Sequence, residues 1–197
     1  FAITAARDGT IRGETGTTDN GSISLVSPLI YYGDALAGIE CRWQQDVAIS
    51  GSALGTNMEL GLIDAVPASN GGGLSDIDTP AFNAADSALW SVDGDQTLTA
   101  FAFCTNGSTA GQPDTKTNAA VATTLAAATY QTVRIMTFTN FAACWANGIL
   151  EAVHDSDADG HIEGGVALAF WLYWRTRDTT EKLASVDYVR IHQNRNN

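Results

Sequence analysis

Apolar and polar residues alternate along the segment that runs from residue 39 to residue 49. The apolar positions are Ile39, Cys41, Trp43, Val47 and Ile49, and the residues at 40, 42, 44 and 46 are polar. A period of two residues is typical of an antiparallel strand with one buried face. Met58, Leu60 and Leu62 repeat the same period. The two segments therefore predict two strands of a β-sheet core.

The second half of the chain predicts further strands. Residues 98–104, 130–138 and 183–192 have the composition and length of strands and are bounded by polar or turn-forming segments. Residues 166–174 are apolar at nearly every position, as in a central strand that is covered on both faces. A sheet protein with many short strands follows from this pattern.

A hairpin is predicted at residues 141–153, where two apolar runs flank Asn147-Gly148. Asn-Gly is the preferred pair of a type I′ turn, because both central residues of that turn need a positive φ. Residues 67–80 and 106–124 are polar and predict long surface loops. The alanine-rich segment 119–128 is the one candidate helix.

Residues 1–33 are polar and rich in Gly and Thr, with one apolar run at residues 23–32. We interpret them as an extended N-terminal arm that ends in a strand and buries its apolar run on a neighbouring subunit. The alternative is that residues 23–32 form an edge strand of their own sandwich. The expected organisation is therefore an arm at residues 1–33 and one domain at residues 34–197.

The strand pattern predicts an all-β fold, namely a two-sheet antiparallel jelly-roll sandwich with at most one or two short helices. A core of mostly buried side chains is expected at Ile39, Cys41, Trp43, Leu60, Leu62, Val133, Ile135 and Val189.

Composition narrows the possible partners. The net charge is −12 and the sequence pI is near 4.3. Such a surface repels phosphate backbones and anionic lipid head groups, so we expect neither nucleic-acid nor membrane binding. The chain contains three cysteines, an odd number, and each lies in an apolar stretch. We expect them to be small buried hydrophobes.

Three motifs resemble those of known proteins. The last strand reads SVDYVRIHQNR at residues 185–195, and the Asn147-Gly148 hairpin lies late in the chain. Both resemble concanavalin A-like jelly rolls, the superfamily of legume lectins and laminarinase-type glucanases. Residues 59–65 read ELGLIDA before a Gly-rich loop, which resembles tailed-phage virion proteins with that fold. The resemblance extends over residues 35–195 and implies a jelly roll.

The glucanases of that superfamily carry their catalytic carboxylates at alternate positions of one strand, and glycoside hydrolysis needs such a pair. No predicted strand here has this arrangement. Glu59 and Asp64 are five residues apart, so a regular strand would project them from opposite faces. No nucleophile elbow accompanies the three histidines. We therefore expect a protein that is not an enzyme.

One acidic segment has the spacing of a calcium loop. Asp155, Asp157 and Asp159 precede Gly160, and Glu163 follows at the ninth position. Alternate carboxylates with a glycine at the sixth position converge on one cation in such loops, although the twelfth position here is a valine. Calcium is the one cofactor that the sequence suggests. The alternative is an acidic, solvated turn between two strands.

Five tryptophans raise the question of carbohydrate binding, because flat aromatic rings stack on sugars. Trp171 and Trp174 are an odd number of positions apart, so they face opposite sides of their strand. These two are the candidate glycan-binding residues. The alternative is that most of the tryptophans pack in the core.

The leading hypothesis from the sequence is a virion structural protein on the capsid surface. It would be a decoration or cement protein that forms a homotrimer on the major capsid protein of a phage head. The alternative is a lectin-like, carbohydrate-binding module of a secreted or surface protein, located outside the cell. A degenerate glycan hydrolase or lyase is the third hypothesis.

Overall fold

The structure is a computed structural model. It describes residues 3–5, 9–18, 20–32, 36–46, 56–67, 72, 74–76, 81–82, 84–93, 101–105, 119–120, 128–138, 141–155, 165–177 and 179–194. Strands are numbered in chain order.

Sheet 1 contains seven strands that pair antiparallel. Their spatial order is β1 (Ile3–Ala5), β2 (Ile11–Glu14), β16 (Leu183–Gln193), β5 (Ala37–Gln45), β12 (Gln131–Thr137), β13 (Phe141–Ala146) and β14 (Ile149–Asp155). The C-terminal strand β16 therefore lies inside the sheet, between β2 and β5. Strand β14 is at one edge.

Sheet 2 also contains seven strands. Six follow the order β11 (Ala119–Ala120), β10 (Phe101–Thr105), β9 (Ser87–Asp93), β6 (Thr56–Ile63), β15 (Ala167–Thr176) and β3 (Ser22–Val26). The seventh, β4 (Tyr31–Tyr32), also pairs with β15. A separate two-stranded ribbon joins β7 (Leu74–Asp76) to β8 (Ala81–Phe82).

The predicted all-β, two-sheet antiparallel fold is confirmed. The described ranges contain no helix. They therefore contain no helix that could cross a membrane. Of the candidate helix at 119–128, Ala119 and Ala120 form strand β11 and Ala128 lies in a turn. The rest of that segment lies outside the described residues.

The strand pairing contradicts the expectation that residues 1–33 form an arm on a neighbouring subunit. Strand β2 pairs with β16 in sheet 1, and β3 pairs with β15 in sheet 2, so residues 1–33 contribute to both sheets of their own chain. Ile23 is buried in the core and packs closely on Gly13, so that a Cβ at Gly13 would require the end of the Ile23 side chain to shift. The alternative, an edge strand of the same sandwich, is the arrangement that the structure has.

The main core lies between the two sheets and follows from the period-two pattern of their strands. Of the eight predicted core residues, seven are buried, and Val189 is partly buried and packs against them. Three tryptophans meet at the centre. The ring centroid of Trp43 lies 5.8 Å from that of Trp90 and 6.2 Å from that of Trp174. Tilted and edge-to-face contacts of this kind are favourable for aromatic rings.

The cysteines behave as buried hydrophobes where the structure describes them. Cys41 and Cys144 are both buried free thiols. Burial raises the pKa of Cys41 to about 12, and burial, followed by the charge of Glu151, raises that of Cys144 further. Neither thiol is therefore ionised near neutral pH. The side chain of Cys104 lies outside the described residues.

The predicted hairpin is confirmed at the turn between β13 and β14. Asn147 has a φ of 50° and Gly148 a φ of 82°, as a type I′ turn requires. Asn147 also continues the ladder into β12. Its Oδ1 accepts a hydrogen bond from the Thr132 N–H at 2.9 Å, and its own N–H donates to the Thr132 carbonyl at 2.7 Å.

Replacing Asn147 with alanine should lower the free energy of unfolding by about 2–3 kcal/mol. Alanine resists a positive φ at a cost of about 1 kcal/mol, and loss of the side-chain hydrogen bonds with Thr132 and Gln131 costs about 1–2 kcal/mol more. Asn147→Gly is the matched control, because glycine keeps the turn conformation and loses only these side-chain bonds. Urea unfolding should order the variants as wild type, glycine, alanine; an alanine variant as stable as wild type would contradict this account.

Candidate functional site

The outer face of sheet 2 carries polar side chains at its centre. On β6, Met58, Leu60 and Leu62 face the main core, so Asn57 and Glu59 face outward. The register places Glu59 opposite Ser91 of β9 on one side and opposite Tyr173 of β15 on the other. A carboxylate, a hydroxyl and a phenol thus lie on three adjacent strands.

The centre of this face is closed to solvent. The Trp171 Nε1–H donates a hydrogen bond of 2.8 Å to Glu59 Oε2, and Glu59 is 0% exposed. The Trp171 and Tyr173 rings stack with centroids 5.5 Å apart and planes 13° from parallel. Both rings belong to a second, smaller apolar cluster, whose other members are Ile63, Ala84 and Leu89. These contacts hold the outward-facing polar groups in fixed positions.

The phenol of Tyr173 is perturbed by this environment. Burial raises the pKa of Tyr173 to about 12, and the charge of Glu59 adds to the rise. The charge of Arg175 and a hydrogen bond with Ser22 oppose it. The phenol is therefore neutral at physiological pH and can both donate and accept a hydrogen bond.

Stability should fall between about pH 10 and pH 12 because of Tyr173. An unfolded tyrosine loses its proton near pH 10. The folded protein keeps it to about pH 12, so the unfolded state binds fewer protons in this window and is favoured as the pH rises. Below pH 10 both states hold the proton, so this contribution to stability is fully present and does not change with pH. The urea midpoint should fall less steeply with rising pH in the Tyr173→Phe variant than in wild type across this window. The exposed Tyr32 provides the matched Tyr32→Phe control, which should keep the wild-type slope; equal slopes in all three proteins would refute the prediction.

An open ledge lies beside the closed centre, on the side of the edge strand β3. We define the β3 ledge as Ser22 and Ser24 of β3 together with Arg175 of β15. The register pairs Ser22 with Arg175 and Ser24 with Tyr173. Ser24 is exposed, whereas Ser22 and Arg175 are half-buried. The exposed Ser24 hydroxyl and the half-buried Arg175 side chain are therefore the groups that the ledge offers to solvent, while the Ser22 hydroxyl is hydrogen-bonded to the Tyr173 phenol.

The chemistry available on this face is limited. Among its described side chains, Glu59 is the one carboxylate. The outward positions of β9 are Ser87, Leu89, Ser91 and Asp93, and the side chain of Asp93 lies outside the described residues. Acid–base hydrolysis of a glycoside needs two carboxyl groups with different protonation states. What the described part of the face provides is hydrogen-bonding and charge, which suit binding.

The structure places the predicted glycan-binding residues inside packed clusters. Trp171 and Trp174 face opposite sides of β15, as the sequence indicates. Trp174 lies in the main core and is 4% exposed, and Trp171 lies in the outer cluster and is 2% exposed. Neither ring presents a face on which a sugar could stack. Their position agrees with the alternative of core packing.

The predicted calcium loop falls mostly outside the described residues. The backbone of Asp155 ends strand β14, and Asp157, Asp159 and Glu163 are not described. Within the described part of the chain, no three His, Cys, Asp or Glu side chains come together as metal ligands would. The calcium site stays a prediction.

A second polar surface covers the outer face of sheet 1. Three arginines lie over aromatic rings: Arg42 over Tyr130 at 4.3 Å, Arg134 over Trp145 at 5.3 Å and Arg190 over Tyr188 at 5.0 Å. The charges on this face are largely paired with each other. Arg42 forms an ion pair with Asp187, Arg190 lies 3.9 Å from Glu40, and the Tyr188 hydroxyl donates to Glu40.

The sequence matches no protein-family model and no curated protein. Solved structures do resemble the chain. The carbohydrate recognition domain of Emp46p in its potassium-bound form has a TM-score of 0.65 at 9% identity, over 98% of this chain and 86% of that one. The apo Crh5 transglycosylase has a TM-score of 0.65 at 13% identity, over 100% of this chain and 77% of that one. Alginate lyase A1-II′ of polysaccharide lyase family 7 has a TM-score of 0.54 at 15% identity, over 98% of this chain and 83% of that one.

These neighbours are folds of the concanavalin A-like lectin and glucanase type. The chain therefore has the jelly-roll fold that its last strand and its hairpin suggested. The neighbours carry no support for the phage part of the resemblance. At 9–15% identity they establish the fold and no activity.

Proposed function

We propose that this protein is a non-enzymatic, lectin-like carbohydrate-binding domain of a secreted or surface protein, and that the glycan binds on the β3 ledge. The observation that carries the proposal is the ledge itself. The exposed Ser24 and the half-buried Arg175 offer hydrogen-bonding groups to solvent, and Ser22 lies beside Arg175 in the register. They lie beside a centre that is fixed by the Glu59–Trp171 hydrogen bond and the stacked rings.

The rigid centre favours binding because little conformational freedom is lost when a ligand is held. Strand residues whose neighbours are packed and hydrogen-bonded need not be ordered by the ligand, which lowers the entropic cost of association. Two of the structural neighbours are compatible with this role. One is named a carbohydrate recognition domain, and the transglycosylase is also described in complex with NAG.

The absence of catalysis is part of the proposal. A hydrolase of the glucanase type would need a second carboxyl group within reach of Glu59. The Glu59 carboxylate is also fully buried and accepts the Trp171 hydrogen bond, so it is positioned as a structural group. Reducing-end assays on β-glucans and on polyuronates, and absorbance assays for lyase products, should stay at background. Turnover that a single Glu59→Gln change abolishes would overturn this part.

The binding experiment uses a glycan array followed by calorimetry on the strongest ligand. Ser24→Trp places a large ring on the ledge and should weaken binding at least tenfold by blocking access. Leu150→Trp places the same ring on the exposed edge of sheet 1, and its affinity should stay within twofold of wild type. Titrations with and without a chelator show whether the predicted calcium loop contributes. The proposal fails if no glycan binds or if both variants bind as wild type does.

A capsid-surface role as a decoration or cement protein is the second candidate. The observation that favours it is the edge strand β14, on which three apolar side chains are more than half exposed: Ile149 at 58%, Leu150 at 52% and Val153 at 52%. Exposed apolar residues of this kind are typical of surfaces that meet another protein. Under this proposal the protein is a trimer by light scattering and sediments with phage heads. A monomer at high micromolar concentration that does not bind particles would exclude it.

A further inference from the structure

We propose that the β3 ledge selects sugars that carry an anionic group, a carboxylate or a sulfate, and that Arg175 is the residue that binds this group. The inference deepens the proposed carbohydrate binding and rests on it. It names the class of glycan that the ledge prefers, which the fold alone does not specify.

The Arg175 side chain has no anion beside it among the described residues. Its Nε is buried and has no hydrogen-bond acceptor among the described residues, and no described carboxylate forms an ion pair with it. Leaving a buried donor of a charged group without an acceptor is unfavourable. Arg42 and Arg190, on the opposite side of the sandwich, have Asp187 and Glu40 beside them. Arg175 is thus a guanidinium for which the described chain supplies no anion.

The nearby carboxylate of Glu59 forms no ion pair with Arg175. Glu59 lies opposite Tyr173 in the register, whereas Arg175 lies opposite Asn57 on that side. One oxygen of Glu59 already accepts the Trp171 hydrogen bond. The negative group that would complement Arg175 must therefore come from outside the described face.

Arg175 lies on the same face as the two serines of β3. Ser22 is the cross-strand neighbour of Arg175, and Ser24 follows on the same face, about 7 Å farther along the strand. A guanidinium binds a carboxylate or a sulfate through two parallel N–H bonds, and serine hydroxyls both donate to and accept from sugar hydroxyls. The ledge can hold the anionic substituent at one end and the ring hydroxyls beside it.

The net charge of −12 determines the form in which the ligand should be offered. A long polyanion is repelled by the acidic surface over about 8 Å at physiological ionic strength. A short oligosaccharide engages Arg175 and little of the remaining surface. We therefore choose tetrasaccharides as probes, at 150 mM salt.

The experiment compares three tetrasaccharides by calorimetry: an oligouronate, a sulfated oligosaccharide and a neutral oligoglucan. At least one anionic probe should bind ten times more tightly than the neutral one, and which one does so distinguishes carboxylate from sulfate. Arg175→Gln should reduce that preference to less than twofold. Arg175→Lys keeps the charge without the planar fork and should be intermediate. Arg190→Gln is the matched control on sheet 1 and should keep the full preference.

The outcomes separate the two levels of the proposal. Equal affinity for all three probes, or an anionic preference that survives Arg175→Gln, overturns the role of Arg175 and leaves carbohydrate binding standing. Binding of none of these probes, together with a blank glycan array, overturns the proposed function itself. Melting temperatures within 2 °C of wild type would show that the variants are folded, because a loss of about 1 kcal/mol shifts Tm by roughly 2–4 °C in a domain of this size.

Discussion

Replacing Glu59 with alanine should lower the free energy of unfolding by about 3 kcal/mol. Glu59 is 0% exposed and accepts the hydrogen bond of the Trp171 indole. Its truncation leaves a buried N–H without that acceptor, at a cost of about 1–3 kcal/mol, and opens a cavity between Trp171 and the strand. Urea unfolding followed by tryptophan fluorescence measures the change.

Glu59→Gln is the control that separates the hydrogen bond from the charge. Glutamine keeps an oxygen acceptor for Trp171 and nearly the same volume, so the loss should be about 1 kcal/mol or less. A glutamine variant as unstable as the alanine variant would show that the negative charge is what stabilises the outer cluster. An alanine variant as stable as wild type would show that the buried carboxylate contributes nothing to folding.

Replacing Trp43 with alanine should have a similar or larger effect, about 3–5 kcal/mol, which is the usual cost of removing a buried Trp. Trp43 is 1% exposed and contacts both Trp90 and Trp174 across the sandwich. Its loss therefore removes the central ring of the main core. Thermal unfolding monitored by near-ultraviolet circular dichroism would report both stability and the loss of aromatic packing.

Two control variants test the prediction for Trp43. Trp43→Phe keeps an aromatic ring and removes an indole N–H that has no hydrogen-bond partner in the described core, so it should cost less than half as much as alanine. Trp145→Ala removes the same side chain from the half-buried outer face of sheet 1, where it contacts Arg134, and should cost about 1 kcal/mol. A Trp145 variant that loses as much stability as the Trp43 variant would contradict the assignment of the core.

The parts of the fold that the sequence predicted are those that local patterns determine. The alternation at residues 39–45 and 58–62 reflects strands buried on one side by their partners, and Asn147-Gly148 needs no partner to favour its turn. The segment at residues 1–33 was misinterpreted because β1, β2 and β4 are two to four residues long. A period of two cannot be recognised over such lengths. Their partners also lie more than 130 residues away in the case of β2 and β4.

The candidate site was less predictable for a physical reason. Parity places Trp171, Tyr173 and Arg175 on one face of β15, and the sequence contains that information. What it does not contain is how deeply each is covered. Trp171 is enclosed by the second apolar cluster, whereas Arg175, four residues along, is only half-buried. The sequence therefore directed attention to the tryptophans, while the accessible groups are the serines and the arginine beside them.

The position of β16 has a consequence for the order in which the protein can be assembled. Chains are synthesised from the N-terminus, yet β16 fills the place between β2 and β5 in sheet 1. Until residues 183–193 are synthesised, one edge of β5 has no partner and its backbone groups are unpaired. Such an unfinished sheet is prone to pair with other nascent chains. Pairing of β16 with β2 also joins segments far apart in the chain, and slow refolding follows from such non-local contacts.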